Sequence, residues 1–336
     1  MNKNIAIVVT TISEPNRTLL ELARQSYSNK YYFVIIGDLD SPNDLNNIEG
    51  SDYFSIERQE KTGLKTAELS PYRHYARKNI GYLLAIKKGA ERIIETDDDN
   101  YPYPNFWENR TRLQAVKTVT KAGWVNIYRY FSETIIWPRG LPLTEVNSET
   151  PPFESLPVHK VDCPIQQGLA NGNPDVDAIY RLTLPLPQNF KNNRRIALAK
   201  YSCSPFNSQN TTWWKVAFPL LYLPAFCSFR MTDIWRSIIA QRIAWENDWA
   251  VLFHEPTVLQ NRNKHDLMKD FVDEIPGYIN NDKIFNELSK IKIKSGQDYL
   301  ADNLLVCYER LIAMEMLDKK ELNLLSAWLN DLKAIN

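Results

Sequence analysis

The most constraining feature of the sequence is a series of short apolar runs that alternate with helix-like segments in the first hundred residues. β-branched runs predict buried strands, and leucine and alanine at spacings of three and four predict helices between them. The predicted strands are residues 5–10, 31–36 and 92–96, and the predicted helices are residues 16–25 and 73–88. This β-α-β-α-β order is typical of an α/β fold with a mainly parallel sheet between layers of helices.

The remainder of the chain predicts a second structured region and a helical tail. Residues 138–175 are rich in proline, asparagine, glutamate and glycine, which is typical of long loops such as active-site lids. Apolar runs then predict strands near 196–200, 213–216 and 251–253 and a helix over 232–245. Leucine and isoleucine spacing from about 282 to 333 predicts a small appended bundle. We therefore expect an α/β domain over residues 1–280 and a C-terminal helical extension over residues 281–336.

The overall charge and the cysteine pattern exclude several classes of function. The chain carries 40 basic and 40 acidic side chains, so its net charge is zero, which indicates no nucleic-acid partner and no polybasic membrane patch. The four cysteines lack the CxxC spacing of zinc and redox motifs. No apolar run reaches the length of a membrane span or resembles a signal peptide. We expect a cytoplasmic protein without a transmembrane segment, with peripheral attachment to a membrane as the alternative.

Three adjacent aspartates, Asp97, Asp98 and Asp99, follow the third predicted strand. Neighbouring carboxylates repel one another, and a divalent cation would remove that cost. In an extended chain Asp97 and Asp99 project to the same side, so they could bracket one Mn²⁺ or Mg²⁺ ion, which prefers oxygen ligands. A solvated acidic turn is the alternative. The metal site is favoured because ligands bind at the carboxyl edge of parallel strands, where this triplet lies.

Several stretches in a fixed order resemble the STELLO-like glycosyltransferases, and the resemblance covers roughly residues 1–275. They are Glu-Thr-Asp-Asp-Asp-Asn at 95–100, Gln-Gly at 167–168, Asn-Pro-Asp-Val-Asp-Ala-Ile-Tyr-Arg-Leu at 173–182, Phe-Arg-Met-Thr-Asp-Ile-Trp-Arg at 229–236 and Arg-Asn-Lys-His-Asp-Leu at 262–267. The stretch Arg-Lys-Asn-Ile-Gly-Tyr at 77–82, before the acidic triplet, resembles GT-A glycosyltransferases more generally. A fainter similarity points to the reversibly glycosylated polypeptides, which are nucleotide-sugar mutases. The resemblance implies a GT-A fold, that is, a Rossmann-like sheet with flanking helices, here followed by the C-terminal helical extension.

The resemblance also implies a binding site for a nucleotide sugar at the carboxyl edge of the sheet. The residues that it places around the nucleotide and its diphosphate are Thr10, Thr11, Asp38, Arg73, Arg77, Asp97, Asp98 and Arg262. Arg73 and Arg77 lie one turn apart in the predicted helix and share a face that could meet the diphosphate, whereas Lys78 points elsewhere. Ordinary turn polarity at the strand ends and a solvated helix surface are the alternatives for these positions.

A late histidine is the third metal ligand that the resemblance implies. His265, in the Arg-Asn-Lys-His stretch, would join Asp97 and Asp99 around the ion. His254 is its rival, because it lies closer to the last predicted strand.

Aspartates in the second half of the chain are candidates for catalysis, which the resemblance implies for Asp233, and for sugar binding, which polar side chains spaced beside Tyr180 suggest for Asp175 and Asp177. Asp233, at the start of the predicted helix 232–245, would be the general base toward an acceptor hydroxyl; capping of that helix is the alternative. Asp175 and Asp177 flank Val176 and would bind sugar hydroxyls. An Asx-turn before a helix or a strand is the alternative for this pair.

Together these features predict a metal-dependent hexosyl- or pentosyltransferase. Its donor would be a nucleotide diphosphate sugar, with a UDP-sugar preferred, and its acceptor a saccharide or another hydroxyl compound in polysaccharide or glycoconjugate synthesis. Two other functions stay open: a nucleotide-sugar mutase, and a non-catalytic scaffold that binds a nucleotide sugar.

Overall fold

The computed structural model describes residues 4–261 and 266–335 and shows a mixed α/β fold built on a ten-stranded sheet. The strands are β1 (Ile5–Thr10), β2 (Tyr32–Ile36), β3 (Asp52–Phe54), β4 (Arg92–Thr96), β5 (Asn100–Pro102), β6 (Leu113–Val119), β7 (Gly123–Trp124), β8 (Val158–Gly172), β9 (Arg195–Leu198), β10 (Ser202–Cys203), β11 (Asn210–Trp214) and β12 (Trp249–Gln260). The helices are α1 (Arg17–Asn29), α2 (Ile56–Glu60), α3 (Lys65–Leu69), α4 (Lys78–Lys87), α5 (Ala178–Thr183), α6 (Thr232–Trp245), α7 (Leu267–Lys290), α8 (Leu300–Ala313) and α9 (Glu321–Ile335).

The parallel part of the sheet is formed by the first hundred residues. Strands β3, β2, β1 and β4 lie side by side in that order, and every neighbouring pair among them is parallel. Asn16 caps α1 by accepting a hydrogen bond from the backbone N–H of Leu19, which fixes where the chain turns back over the sheet. The remaining strands join mostly in antiparallel fashion, beginning with β11 against β4. The predicted parallel sheet is therefore confirmed for this half and wrong for the sheet as a whole.

Residues 138–175 contain the longest strand, so the prediction of loops throughout this stretch is wrong. Strand β8 extends over 15 residues and pairs with β6, β11 and β12. Its sequence carries Pro164, Gln166 and Gln167, which hide the apolar pattern of a buried strand. Partners far away in the chain supply its backbone hydrogen bonds, and such pairing leaves no mark on local sequence. For the same reason the predicted strand near 251–253 is only part of the first half of the much longer β12.

The helix predicted over residues 73–88 begins only at Lys78. Arg73 has a φ of 54°, in the left-handed region, and a 3₁₀ turn over Tyr75–Arg77 separates it from α4. Arg73 and Arg77 therefore do not share a helix face, and that prediction is wrong. The physical reason is that a residue in the left-handed region cannot be part of a right-handed helix, so α4 can begin only after Arg73.

The C-terminal helices pack directly on the α/β core. The indole of Trp328 in α9 lies 6.4 Å from the ring of Tyr82 and 6.0 Å from that of Tyr222, measured between centroids. The buried carboxylate of Glu321 accepts hydrogen bonds from the Tyr222 hydroxyl and from the backbone N–H groups of Ala225 and Phe226. One apolar cluster includes side chains of the sheet, α4, α6, α8 and α9, and the boundary predicted after residue 280 lies inside α7.

A buried ion pair connects the two elements that lead into the site. The guanidinium of Arg236 in α6 donates two hydrogen bonds, of 2.8 and 2.9 Å, to the carboxylate of Glu95 in β4. The indole N–H of Trp213 and the hydroxyl of Tyr82 donate to the same carboxylate. Both charged side chains are almost fully buried, so the pair fixes β4 and α6 relative to each other. In the described part of the chain, no helix is both long and apolar enough to span a lipid bilayer.

Candidate functional site

The carboxyl ends of β1, β2 and β4 open onto a cavity of about 540 Å³, a size that suits a small-molecule ligand. Parallel strands present their carboxyl ends at one edge of the sheet, which is why residues distant in sequence meet here. The predicted site residues that line this cavity are Thr10, Thr11, Asp38, Arg73, Arg77, Asp97, Asp98, Asp99 and Asp233.

The three aspartates form a turn, and each carboxylate meets a different neighbour. The ammonium of Lys78 lies 2.7 Å from Asp97 Oδ1, the hydroxyl of Thr11 donates to Asp98, and the amide of Gln260 lies 3.3 Å from Asp99 Oδ2. The expectation of an extended chain through the triplet is therefore wrong, because the backbone N–H of Asn100 returns to the carbonyl of Asp97. Asp97 and Asp99 nevertheless line the same cavity.

Lys78 is a buried cation at the acidic turn. Its ammonium donates to Asp97 Oδ1 and to the backbone carbonyls of Thr96 at 3.0 Å and Ser208 at 3.2 Å. The prediction that Lys78 points away from the site is wrong; its side chain crosses from α4 to the end of β4. Burial raises the pKa of Asp97, although the Lys78 ammonium acts in the opposite direction. Lys78 thus reduces the repulsion among the three aspartates.

Asp233 and Asp175 share one guanidinium. Arg139 donates to both oxygens of Asp233, at 3.0 and 3.1 Å, and to both oxygens of Asp175, at 2.8 and 2.9 Å. Burial opposes ionisation of the two carboxyls, but the Arg139 guanidinium holds the pKa of each below its usual value. Asp233 does not cap α6; its carboxylate also accepts the backbone N–H of Ser208 and the hydroxyl of Tyr75. It is therefore an ionised acceptor at the cavity wall.

Asp177 lies directly before a helix, as the Asx-turn alternative predicts. One carboxylate oxygen accepts the backbone N–H of Tyr180 at 2.8 Å and caps α5, and the other accepts the indole N–H of Trp137 at 2.6 Å. Burial raises the pKa of Asp177 to about 6. The side chain lines neither the large cavity nor the smaller one beside it, so both of its oxygens serve the protein's own structure.

A smaller cavity of about 140 Å³ shares part of its lining with the large one, including Asp97 and Asp99 of the acidic turn. Its lining consists of four carboxylates, two guanidiniums and two amides, namely Asp97, Asp99, Asp175, Asp233, Arg139, Arg230, Gln209 and Gln260. Asp97, Asp99, Arg139, Arg230 and Asp233 line both cavities. Asp97 and Asp99 of the acidic turn and Asp233 therefore form part of the wall of both cavities.

The two predicted diphosphate ligands differ in accessibility. Arg77 is buried, and its guanidinium is occupied by the side chain of Gln59 and the carbonyl of Ser70. Arg73 is largely exposed, and its one carboxylate partner within the described residues is Asp40, at 2.9 Å. Arg73 is the more available of the two for an anionic ligand. Asp38 keeps its carboxylate at the edge of the same cavity and accepts the backbone N–H of His74.

Sequence reasoning missed several residues of the cavity wall. Arg139 gave no signal because it lies in a loop without periodicity, whereas Phe229 and Arg230 belong to a stretch that carries the resemblance and were still not assigned a role. Phe229 packs edge-on against His74 and Tyr75, with ring centroids 5.1 and 4.9 Å apart. These rings form an aromatic rim on the side of the cavity next to Asp233.

The predicted metal site is described only in part. Arg262 and His265 lie outside the described residues. His254, the rival ligand, is buried, bonds the carbonyl of Glu255 through Nδ1 and lines neither cavity. Within residues 4–261 and 266–335, no group of three or more His, Cys, Asp and Glu side chains is arranged to hold an ion. Asp97 and Asp99 offer carboxylate oxygens of the kind that Mn²⁺ and Mg²⁺ prefer, so the donor chemistry fits such an ion.

The chain is similar to the STELLO glycosyltransferases of plants. The model of the STELLO glycosyltransferases matches residues 230–336. Probable glycosyltransferases STELLO2 and STELLO1 of Arabidopsis thaliana are 28% and 27% identical over 97% and 98% of this chain. The aligned region is 44% of each relative, so this chain spans less than half of their length. The matched region reaches residue 336, so the expectation that the resemblance ends near residue 275 is wrong.

Among solved structures, a mycobacterial protein is similar over 84% of this chain and 75% of its own. Its sequence identity is 10% and its TM-score is 0.41. A similarity this low bears on neither the fold nor the function of this chain.

Proposed function

We propose that this chain, which is STELLO-like over nearly its whole length, is a glycosyltransferase that moves a sugar from a nucleotide diphosphate donor to a hydroxyl acceptor. One observation carries the proposal. A single cavity joins the ends of β1 and β2, the acidic turn after β4 and Asp233 at the start of α6. Sugar transfer requires a nucleoside site and a diphosphate site for the donor, and a base for the acceptor hydroxyl, all close together. This cavity has a candidate for each.

The donor's nucleoside lies against the ends of β1 and β2. Thr10, Thr11 and Asp38 are the polar groups there, and a UDP-sugar is the preferred donor. The diphosphate then faces the acidic turn, where the exposed guanidinium of Arg73 provides positive charge. Four parallel strands followed by mostly antiparallel ones support a GT-A arrangement with the nucleotide at the parallel edge.

A divalent cation completes this arrangement. Asp97 and Asp99 would hold Mn²⁺ or Mg²⁺, and His265 is the proposed third ligand. Asp98 supports the turn through its hydrogen bond with Thr11. Such an ion stabilises the negative charge of a departing diphosphate. Arg262 is proposed to meet the same diphosphate.

Asp233 accepts the proton of the acceptor hydroxyl. Arg139 and the backbone N–H of Ser208 hold its carboxylate in one orientation at the cavity wall, and the guanidinium keeps it ionised at neutral pH. Asp175, held by the same guanidinium, lines the adjoining cavity and is proposed to contact the sugar. The acceptor is a saccharide or glycoconjugate.

The test is a donor-turnover assay with purified protein. UDP-sugars are incubated with Mn²⁺, with Mg²⁺ or with EDTA, and released UDP is quantified with and without oligosaccharide acceptors. We expect metal-dependent release that acceptors accelerate. Full turnover in EDTA would contradict the metal role, and conversion of the donor into an isomer without acceptor would favour a mutase. Donor binding without any turnover would favour a scaffold.

A further inference from the structure

The smaller cavity lies where the donor's sugar must go if the proposed function holds. In a nucleotide diphosphate sugar, the sugar is attached to the diphosphate on the side away from the nucleoside. The nucleoside wall, with Thr10 and Asp38, belongs to the large cavity alone, whereas Asp97 and Asp99 line both cavities. A diphosphate at the acidic turn therefore directs the sugar into the 140 Å³ space.

This space is built from hydrogen-bonding side chains. Gln209 and Gln260 present amides beside the four carboxylates. Oε1 of Gln260 is buried and has no hydrogen-bond donor within the described residues. A buried carbonyl oxygen without a donor is costly, and a sugar hydroxyl would satisfy it.

The charges around this space are unfavourable for an anion. Four carboxylates and two guanidiniums line it, and the guanidiniums already serve carboxylates of the protein. Arg139 is bound by Asp175 and Asp233, and Arg230 lies 2.9 Å from the buried carboxylate of Glu274. The ammonium of Lys78, beside the cavity, is bound by Asp97. The cation proposed at Asp97 and Asp99 would serve the diphosphate, and each cation described at this cavity is already paired with a carboxylate of the protein. A carboxylate on the donor sugar would therefore face the like charges of Asp175 and Asp233.

We propose that the donor sugar is neutral, and that the carboxylate-lined cavity discriminates against uronic acids. This inference rests on the proposed function, because it requires the diphosphate to lie at the acidic turn. It narrows the donor class to sugars such as pentoses and hexoses that carry only hydroxyl groups at the positions facing Asp175, Asp233 and Gln260.

A ligand series that changes one substituent tests the inference. UDP-xylose, UDP-glucose and UDP-glucuronic acid differ only at carbon 5 of the sugar, which carries a hydrogen, a hydroxymethyl or a carboxylate. Isothermal titration calorimetry with Mn²⁺ at pH 7 and 0.15 M salt gives their dissociation constants, with UDP as the reference. We expect UDP-glucuronic acid to bind at least about tenfold more weakly than UDP-glucose, which is about 1.4 kcal/mol. UDP-xylose controls for size.

Two variants of one position separate charge from shape. Gln260→Lys adds a cation at the cavity, and Gln260→Met removes the amide without adding charge. The preference for UDP-glucose is the ratio of its affinity to that of UDP-glucuronic acid. We expect the Lys variant to reduce this ratio at least threefold and the Met variant to leave it unchanged. An equal effect of both variants would contradict a charge mechanism. Circular dichroism checks folding, and the wild-type series is decisive without the variants.

The outcomes distinguish this inference from the proposed function. Equal binding of UDP-glucose and UDP-glucuronic acid by the wild-type protein overturns the inference and leaves the glycosyltransferase proposal intact. Failure of UDP, GDP and their sugar conjugates to bind overturns the proposed function, and the inference with it.

Discussion

At the scale of single residues, Asp99 carries the sharpest prediction about the acidic turn. Asp99→Asn keeps the size and an oxygen for Gln260 but removes one negative charge from the cavity. Asparagine suits a turn, so the fold should survive. If the triplet binds a cation, donor turnover should fall roughly 100-fold or more, and donor binding should lose its metal dependence. Turnover and calorimetric donor binding, each with and without Mn²⁺, provide the measurement.

A matched control separates this effect from a general loss of acidic charge. Asp44 is exposed and lies outside both cavities, so Asp44→Asn should match wild type in turnover and metal response. Near-normal turnover of the Asp99→Asn variant at low Mn²⁺ would show that the triplet is a solvated turn.

The pH dependence of stability should carry a contribution from His74. Burial lowers the pKa of His74 to about 4, although nearby Asp38 acts in the opposite direction, and Nδ1 accepts the backbone N–H of Ala76. In the unfolded chain the histidine pKa is about 6.5, so between pH 6.5 and pH 4 the unfolded chain binds more protons than the folded one. The free energy of unfolding is therefore highest above about pH 6.5 and falls as the pH decreases toward 4. Between pH 7 and pH 5, wild type should lose about 2 kcal/mol more than His74→Gln in urea unfolding. Parallel pH profiles would contradict this origin.

At the scale of secondary-structure elements, the Glu95–Arg236 pair joins β4 to α6 and so joins the acidic turn to Asp233. Glu95→Gln would leave the buried guanidinium of Arg236 without its counter-charge, and the free energy of unfolding should fall by about 3–5 kcal/mol. Adding Arg236→Met should restore most of that loss, because no buried charge then remains uncompensated. Urea unfolding of the two single variants and the double variant gives the coupling energy. Additive losses would show that the pair does not act as a unit, and the exposed Glu57→Gln serves as the neutral control.

At the scale of the whole molecule, the continuous apolar core predicts a single unfolding transition. Trp328 is buried against Tyr82 of α4 and Tyr222, so Trp328→Ala should lower the free energy of unfolding of the whole protein by about 3–5 kcal/mol. For each protein, donor binding and the native tryptophan fluorescence signal should disappear at the same urea concentration, in wild type and variant alike. Trp328→Phe is the milder control. Two separate transitions would instead support independent folding of residues 1–280 and 281–336.

The sequence by itself determined the parallel half of the fold and the edge at which the site lies. The apolar runs that become β1, β2 and β4 are local and strongly β-branched, and their order places the polar residues that follow them at one edge. Thr10, Asp38 and the Asp97–Asp99 turn could therefore be predicted as neighbours from the amino-acid order alone. The helix Thr232–Trp245 could likewise be predicted from the sequence, because it is long and has regular apolar spacing.

Only the tertiary structure decided which charges meet. Lys78 and Arg139 neutralise Asp97, Asp175 and Asp233 because α4, β4 and two loops converge, and no spacing in the sequence records that convergence. Strand β8 exists because β6, β11 and β12 pair with it from distant parts of the chain. Local pattern fixes elements that are stable by their own periodicity, whereas buried ion pairs and non-local strands gain their stability from partners that only the folded chain brings together.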